Sequence, residues 1–177
     1  KDVTRAAADK AGWDPTAPER GAEKGLGRGL GFAQYRNHKC YVAVVFDGRV
    51  DPTGKIQLER AVIAADAGQI INPDGLIHQL EGGVLQSASW TLKEEVIFDQ
   101  HKITSTDWET YPILTFPEIP HIETVLIDRP GQQSLGCGEA TQGPTPAAIA
   151  NAVCNATDKR LRQMPFTPER VKTILDS

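Results

Sequence analysis

The spacing of apolar positions along this chain changes several times, and each change marks an element. Val3 to Ala11 reads as a short helix built on Ala6, Ala7 and Ala8, with Gly12 as its stop. Trp13 to Gly25 holds prolines, glycines and mixed charges and reads as a surface linker. Two strand-like runs follow, Gly29 to Tyr35 and Cys40 to Asp47, joined by a polar turn at Arg36-Asn37-His38-Lys39. A third run spans Ile56 to Asp66, with turn chemistry before it at Asp47-Gly48 and Pro52-Thr53-Gly54-Lys55. These three predict an antiparallel meander.

Asn72-Pro73-Asp74-Gly75 supplies a capping residue followed by proline at the first helical position, which predicts a helix from there to about Leu92. Ile77, Leu80, Val84 and Ala88 form its apolar stripe, with Gln79, Gly82, Gly83 and Gln86 on a neighbouring face. Two adjacent helical glycines cost about 1 kcal/mol each relative to alanine, so close approach of a backbone or a ligand is expected to compensate. Glu94 to Asp99 and Lys102 to Ser105 predict a hairpin, and Tyr111 to Pro120 an irregular apolar crossing. Ile122 to Asp128 reads as a strand, Pro144 to about Thr157 as an alanine-rich helix, and Pro168 to Leu175 as a last helix capped by Thr167. Strands and helices out of strict alternation predict an α+β architecture of mixed sheet and packed helices. The expected division is a helix and linker over 1–25 and one domain over 26–177.

Composition narrows the function classes. Net charge is −4 and the pI about 5.6, which disfavours a nucleic-acid or anionic-membrane surface. The run Lys159-Arg160-Leu161-Arg162 suits a helix C-terminus better than an RNA site. No apolar stretch is long enough for a membrane-spanning helix. Cys40, Cys137 and Cys154 are an odd set with no CxxC, and His38, His78, His101 and His121 have no metal-ligand spacing. A metal held by side chains is therefore not expected. The chain opens on Lys1 and reads as a piece of a longer one, leaving cytoplasmic and periplasmic locations open.

The densest chemistry lies in Gly136-Cys137-Gly138-Glu139, ahead of Gly143-Pro144-Thr145-Pro146 and the alanine-rich helix. Glycines allow a ligand to approach the backbone, and prolines suit a helix's first turn. The arrangement predicts a crowded, buried Glu139 whose pKa rises toward neutrality, where a general base works best. The plainer reading is a loop carboxylate in solvent. Cys137 as a nucleophile has no local His or Asn to activate it, and small-residue filler beside a ligand suits it better. Gln79, Gly83 and Gln86 read either as helix packing or as a polar ligand seat.

Asp66-Ala67-Gly68, Asn72-Pro73-Asp74-Gly75, Gln79-Leu80-Glu81-Gly82-Gly83-Val84-Leu85-Gln86, Tyr111-Pro112, and Gly136-Cys137-Gly138-Glu139 with Ala148-Ile149-Ala150-Asn151-Ala152 stand in one order. In that order the chain resembles the C-terminal part of the large subunit of molybdenum hydroxylases, the xanthine dehydrogenase and aldehyde oxidase family, most closely the isoquinoline 1-oxidoreductase beta-subunit type. The tail Ala156 to Pro165 resembles that group too. The resemblance implies molybdenum held by a pterin, as molybdopterin cytosine dinucleotide, with no side chain on the metal. It implies Glu139 as general base toward a molybdenum-bound hydroxyl, in the oxidation of an aldehyde or N-heterocycle. Gln79, Gly83, Cys137 and Gly138 would meet the cofactor. Partners would be the remainder of the large subunit and a small iron–sulfur subunit. Two positions depart from the family: Ala140 where proline is common, and Ser87 where glycine is common. The family's glycine-rich GGGFG segment and iron–sulfur cysteines are not among these residues. A non-catalytic structural or assembly domain on the same scaffold is the alternative.

Overall fold

The computed structural model describes residues 1–14, 25–35 and 40–177. The polar turn expected at Arg36 to Lys39, with His38, and most of the expected linker lie outside the described residues.

A four-stranded sheet forms the centre, in spatial order β1 (Leu26–Gln34), β2 (Tyr41–Val50), β3 (Ile56–Asp66) and β4 (His121–Leu126). The first three are the expected antiparallel meander. β4 pairs parallel with β3, Arg60 opposite His121 through Ala65 opposite Leu126. A parallel neighbour needs a crossover, and residues 67–120 provide it, with α2 (Pro73–Leu92) followed by a longer irregular stretch.

Both faces of the sheet are covered, so β2 and β3 read as nearly unbroken apolar runs. One face presents Val42, Val44, Phe46, Ala61, Ile63 and Ala65 to α2, α3 (Pro144–Thr157) and α4 (Pro168–Leu175). The other presents Ala43, Val45, Val62 and Ala64 to Val3, Ala7 and Ala11 of α1 (Asp2–Ala11). The C-terminal carbonyls of α1 meet guanidinium groups: Arg60 donates to Lys10 O at 3.1 Å and to Ala11 O at 3.3 Å, and Arg28 to Gly12 O at 3.1 Å. That answers the acceptors a helix end leaves unpaired.

The seam between β1 and α3 is closer than side chains allow. A Cβ on Gly27, Gly29 or Gly31 would collide with the carbonyls of Ala152, Ala148 and Pro144 respectively. Glycine at every second strand residue matches small residues at every fourth helix residue, so the strand and helix backbones touch along their length.

Helix ends follow their signals. The Asn72 side chain accepts from Gly75 N at 3.0 Å to start α2, and Thr167 accepts from Arg170 N at 3.4 Å to start α4. The expected hairpin at 94–105 is reduced to one bridge, Phe98 with Ile103. There the Asp99 side chain accepts from the backbone N of His101 and Lys102 at 2.7 and 2.9 Å, beside backbone bonds from Asp99 N to Lys102 O and Thr104 N to Ile97 O. Among the described residues no helix is long and apolar enough to cross a membrane.

Candidate functional site

Three segments converge at one edge of the domain: the first turns of α2, the loop 136–143 entering α3, and the end of β1. Gln79 Nε2 donates to the Gly138 carbonyl at 2.8 Å across 59 residues of sequence. The two motifs that stand apart in the sequence are thereby one place in the molecule. Gln79, Gly138 and Glu139 are exposed and Cys137 is half-buried.

The loop is seated from beneath. The Thr141 hydroxyl, buried, donates to the Leu80 carbonyl at 3.0 Å. A Cβ on Gly83 would collide with that hydroxyl, so the glycine is what lets the loop reach α2. Ser87 Oγ donates to Gln142 O at 2.8 Å, and Gln142 Nε2 to Gln86 Oε1 at 2.9 Å. Ser87, a departure from the resemblance, thus helps to hold the loop. On the other side Cys40 N donates to Gly136 O at 3.3 Å, and Leu135 N to Ala67 O at 2.8 Å. The Asp66-Ala67-Gly68 turn has a positive φ at Gly68, where a Cβ would collide with the Gln133 carbonyl. Asp66 Oδ2 accepts from Arg129 Nε at 2.9 Å and Oδ1 from Gly68 N at 3.2 Å.

One expectation is corrected. Glu139 is not a buried carboxylate but an exposed one, on a loop whose buried residues are its neighbours Ala140 and Thr141. Among the described residues no apolar surface covers and desolvates it. The carboxylate's one hydrogen-bond partner among the described residues is Tyr35, whose hydroxyl donates to Oε2 at 3.0 Å. Nothing in the sequence signals Tyr35, because 104 positions separate the pair and no local pattern links them. Gly83 is buried under the loop rather than open on its face, whereas at Gly82 and Gly138 nothing among the described residues lies within 4 Å of where a Cβ would stand.

Cys40 and Cys137 are poor nucleophiles here. Burial pushes the Cys137 thiol upward, and burial together with nearby Cys137 pushes Cys40 up to about 12. A reactive cysteine needs the opposite shift. The reading of Cys137 as a nucleophile therefore loses its support.

A family model described as the molybdopterin cofactor-binding domain matches residues 6–120, well over half of the chain. The chain belongs to the molybdopterin cofactor-binding domain family. A nicotinate dehydrogenase subunit of Pseudomonas putida is 41% identical over 98% of the chain, and the beta subunit of isoquinoline 1-oxidoreductase of Brevundimonas diminuta is 29% identical over 94%. The chain spans 16% and 21% of their lengths. Among solved structures, quinoline 2-oxidoreductase from Pseudomonas putida 86 superposes with a TM-score of 0.71 at 27% identity, covering 77% of this chain and 19% of that one. Aldehyde oxidoreductase from Desulfovibrio gigas gives 0.69 at 26%, covering 78% and 16%. The mixed sheet with its packed helices is therefore the fold of molybdenum-hydroxylase structures, and the expected family holds.

The donor set suits a molybdopterin group. Among the described residues no three His, Cys, Asp or Glu side chains converge as metal ligands. What the edge offers instead is an amide, an unobstructed glycine backbone and one carboxylate, which are the means to hold a large organic group and act beside it.

Proposed function

We propose that this chain is the C-terminal cofactor-binding part of a molybdenum hydroxylase large subunit, with Glu139 as the general base. The observation that carries the reading is the Gln79 to Gly138 hydrogen bond, which brings the α2 face and the Glu139 loop to one open edge. The names of the relatives support oxidation of an N-heterocycle or an aldehyde. At 41% identity the nicotinate dehydrogenase relative makes an N-heterocyclic acid the first substrate to try.

Gln79 and the Gly138 backbone would hold the cofactor, with Cys137 as a small, inert wall. Gly83 acts at one remove, by seating Thr141 and so the loop. When bound, the molybdenum–pterin group supplies a two-electron oxidant and a hydroxyl of lowered pKa. Glu139 takes the proton at its carboxylate, and its loop sets where that carboxylate stands. In the assembled enzyme the remainder of the large subunit closes over the exposed edge and excludes water. Molybdopterin cytosine dinucleotide is the expected form of the group, and iron–sulfur clusters on a partner subunit are the expected route for electrons.

The test is metal and pterin analysis of the full-length protein, followed by Glu139→Gln. Molybdenum and pterin should be present, and the variant should keep both while turnover of nicotinate, isoquinoline or benzaldehyde falls by about 10²-fold or more. Absence of metal and pterin would favour a structural or assembly domain instead, and a fully active Glu139→Gln would remove Glu139 as base.

A further inference from the structure

We infer that Tyr35 is a positioning residue for Glu139: its hydroxyl holds one carboxylate oxygen and leaves the other to take the proton. This rests on the reading of Glu139 as base and adds a second residue to it, from a part of the chain that no site motif includes.

The hydrogen bond runs from Tyr35 Oη to Glu139 Oε2 at 3.0 Å, and among the described residues Oε1 has no partner. An exposed glutamate on a loop has three side-chain torsions to settle, and a single fixed donor selects among them. Tyr35 can be that donor because its own place is tied down. Its backbone N donates to Cys40 O at 2.9 Å, closing the end of the β1–β2 pair. Cys40 N in turn donates to Gly136 O at 3.3 Å, three residues before Glu139. Two backbone bonds thus span the distance that the hydroxyl bridges, and the half-buried ring packs against the main core. The phenol is a rigid, two-torsion arm on a sheet end. The carboxylate is a flexible, three-torsion arm on a glycine-flanked loop. Precision passes from the first to the second.

A bond to Oε2 also divides the labour of the two oxygens. Oε2 keeps its donor throughout, so protonation falls to Oε1, and the acceptor is presented in one orientation instead of several. A hydrogen bond to an ionised carboxylate is among the stronger kinds, which lets it persist at an exposed site.

The experiment uses the full-length enzyme with Tyr35→Phe, Glu139→Gln and the double variant. Tyr35→Phe keeps the ring, so packing and thermal midpoint should stay close to the parent. Turnover of whichever of nicotinate, isoquinoline and benzaldehyde is oxidised should fall in kcat by about tenfold to a hundredfold with KM little changed. In the Glu139→Gln background the same change should add no further loss. Infrared difference spectra of the cofactor-free protein give a readout apart from turnover: the carboxylate band missing in Glu139→Gln should shift in Tyr35→Phe. An unshifted band, or a Tyr35→Phe enzyme with parental kcat beside an inactive Glu139→Gln, overturns the role of Tyr35 alone. A fully active Glu139→Gln overturns the base assignment itself, whatever Tyr35 does to the band.

Discussion

Glycine serves two opposite purposes on either side of α3. Along β1 the places where side chains would stand on Gly27, Gly29 and Gly31 are already filled by helix backbone. At the start of α3 and on α2, the corresponding places at Gly138, Gly143 and Gly82 have nothing among the described residues within 4 Å. The first set exists so that two parts of the domain can touch. The second leaves positions that nothing among the described residues fills, and Gln79 donates to the carbonyl of one of them, Gly138. A missing side chain therefore says something about a ligand only when its space is empty, and Gly83, one residue from Gly82, is of the filled kind.

The strongest challenge to this contrast is Gly29→Val. The added branch would meet Ala148 O and Ala152 N, so β1 must leave α3, and destabilisation of about 3 kcal/mol or more is expected in chemical denaturation. A variant with parental stability would mean the seam is not close-packed. Next comes Gly83→Ala, whose Cβ would displace the Thr141 hydroxyl from Leu80 O; a loss of about 1–3 kcal/mol is expected, with lowered molybdenum content because the loop shifts. Gly82→Ala should do the reverse for the cofactor-free fold, raising stability by up to about 1 kcal/mol, since the helix gains a better former and nothing is struck. If both glycines respond alike, the distinction between filled and open positions fails.

Acid should separate the segment held at the C-terminal end of α2 from the β1–α3 seam. Partial burial pushes the Glu118 carboxyl up, but hydrogen bonds from Lys93, at 2.6 Å, and from Thr115 outweigh it and bring the group from 4.5 down to about 2. A carboxylate with a lowered folded pKa contributes stability that is complete above its unfolded value and is lost as pH falls through the folded one. Protection from hydrogen exchange around residues 113–118, taken relative to the intrinsic rate at each pH, should therefore fall as pH drops from about 4.5 toward about 2, before the backbone seam of β1 and α3 opens. Lys93→Met should flatten that dependence. The smallest effect is expected at the thiols: iodoacetamide at neutral pH should leave Cys40 unmodified in the native protein and label Cys137 only slowly, read by peptide mass spectrometry.

Local chemistry made much of this legible in advance. Asn72-Pro73 and Thr167-Pro168 mark helix starts because a side-chain oxygen and a fixed φ act within one turn, and α2, α3 and α4 end at the expected Leu92, Thr157 and Leu175. β3 spans the expected Ile56–Asp66. The β1–α3 seam had a signal too, glycines two apart against small residues four apart, which neither segment reveals alone. Burial of Glu139 was misjudged for a different reason. Glycines and prolines around a carboxylate describe a tight local backbone, but exposure depends on what covers it.

By itself the sequence determined the elements, the family and the identity of the chemical groups, because periodicity, capping and residue type act over a few positions. Only the tertiary structure decided which of those groups meet. Gln79 and Gly138 lie 59 positions apart, Tyr35 and Glu139 104 apart, and Gly83 meets Thr141 across a similar stretch of chain to the first pair. Such pairings follow from how the sheet orders its strands and how far the helices lie over it, and no local pattern records that distance. The open edge at Glu139 is likewise a property of the packed domain, since burial depends on neighbours that packing brings and not on the residues beside it in sequence.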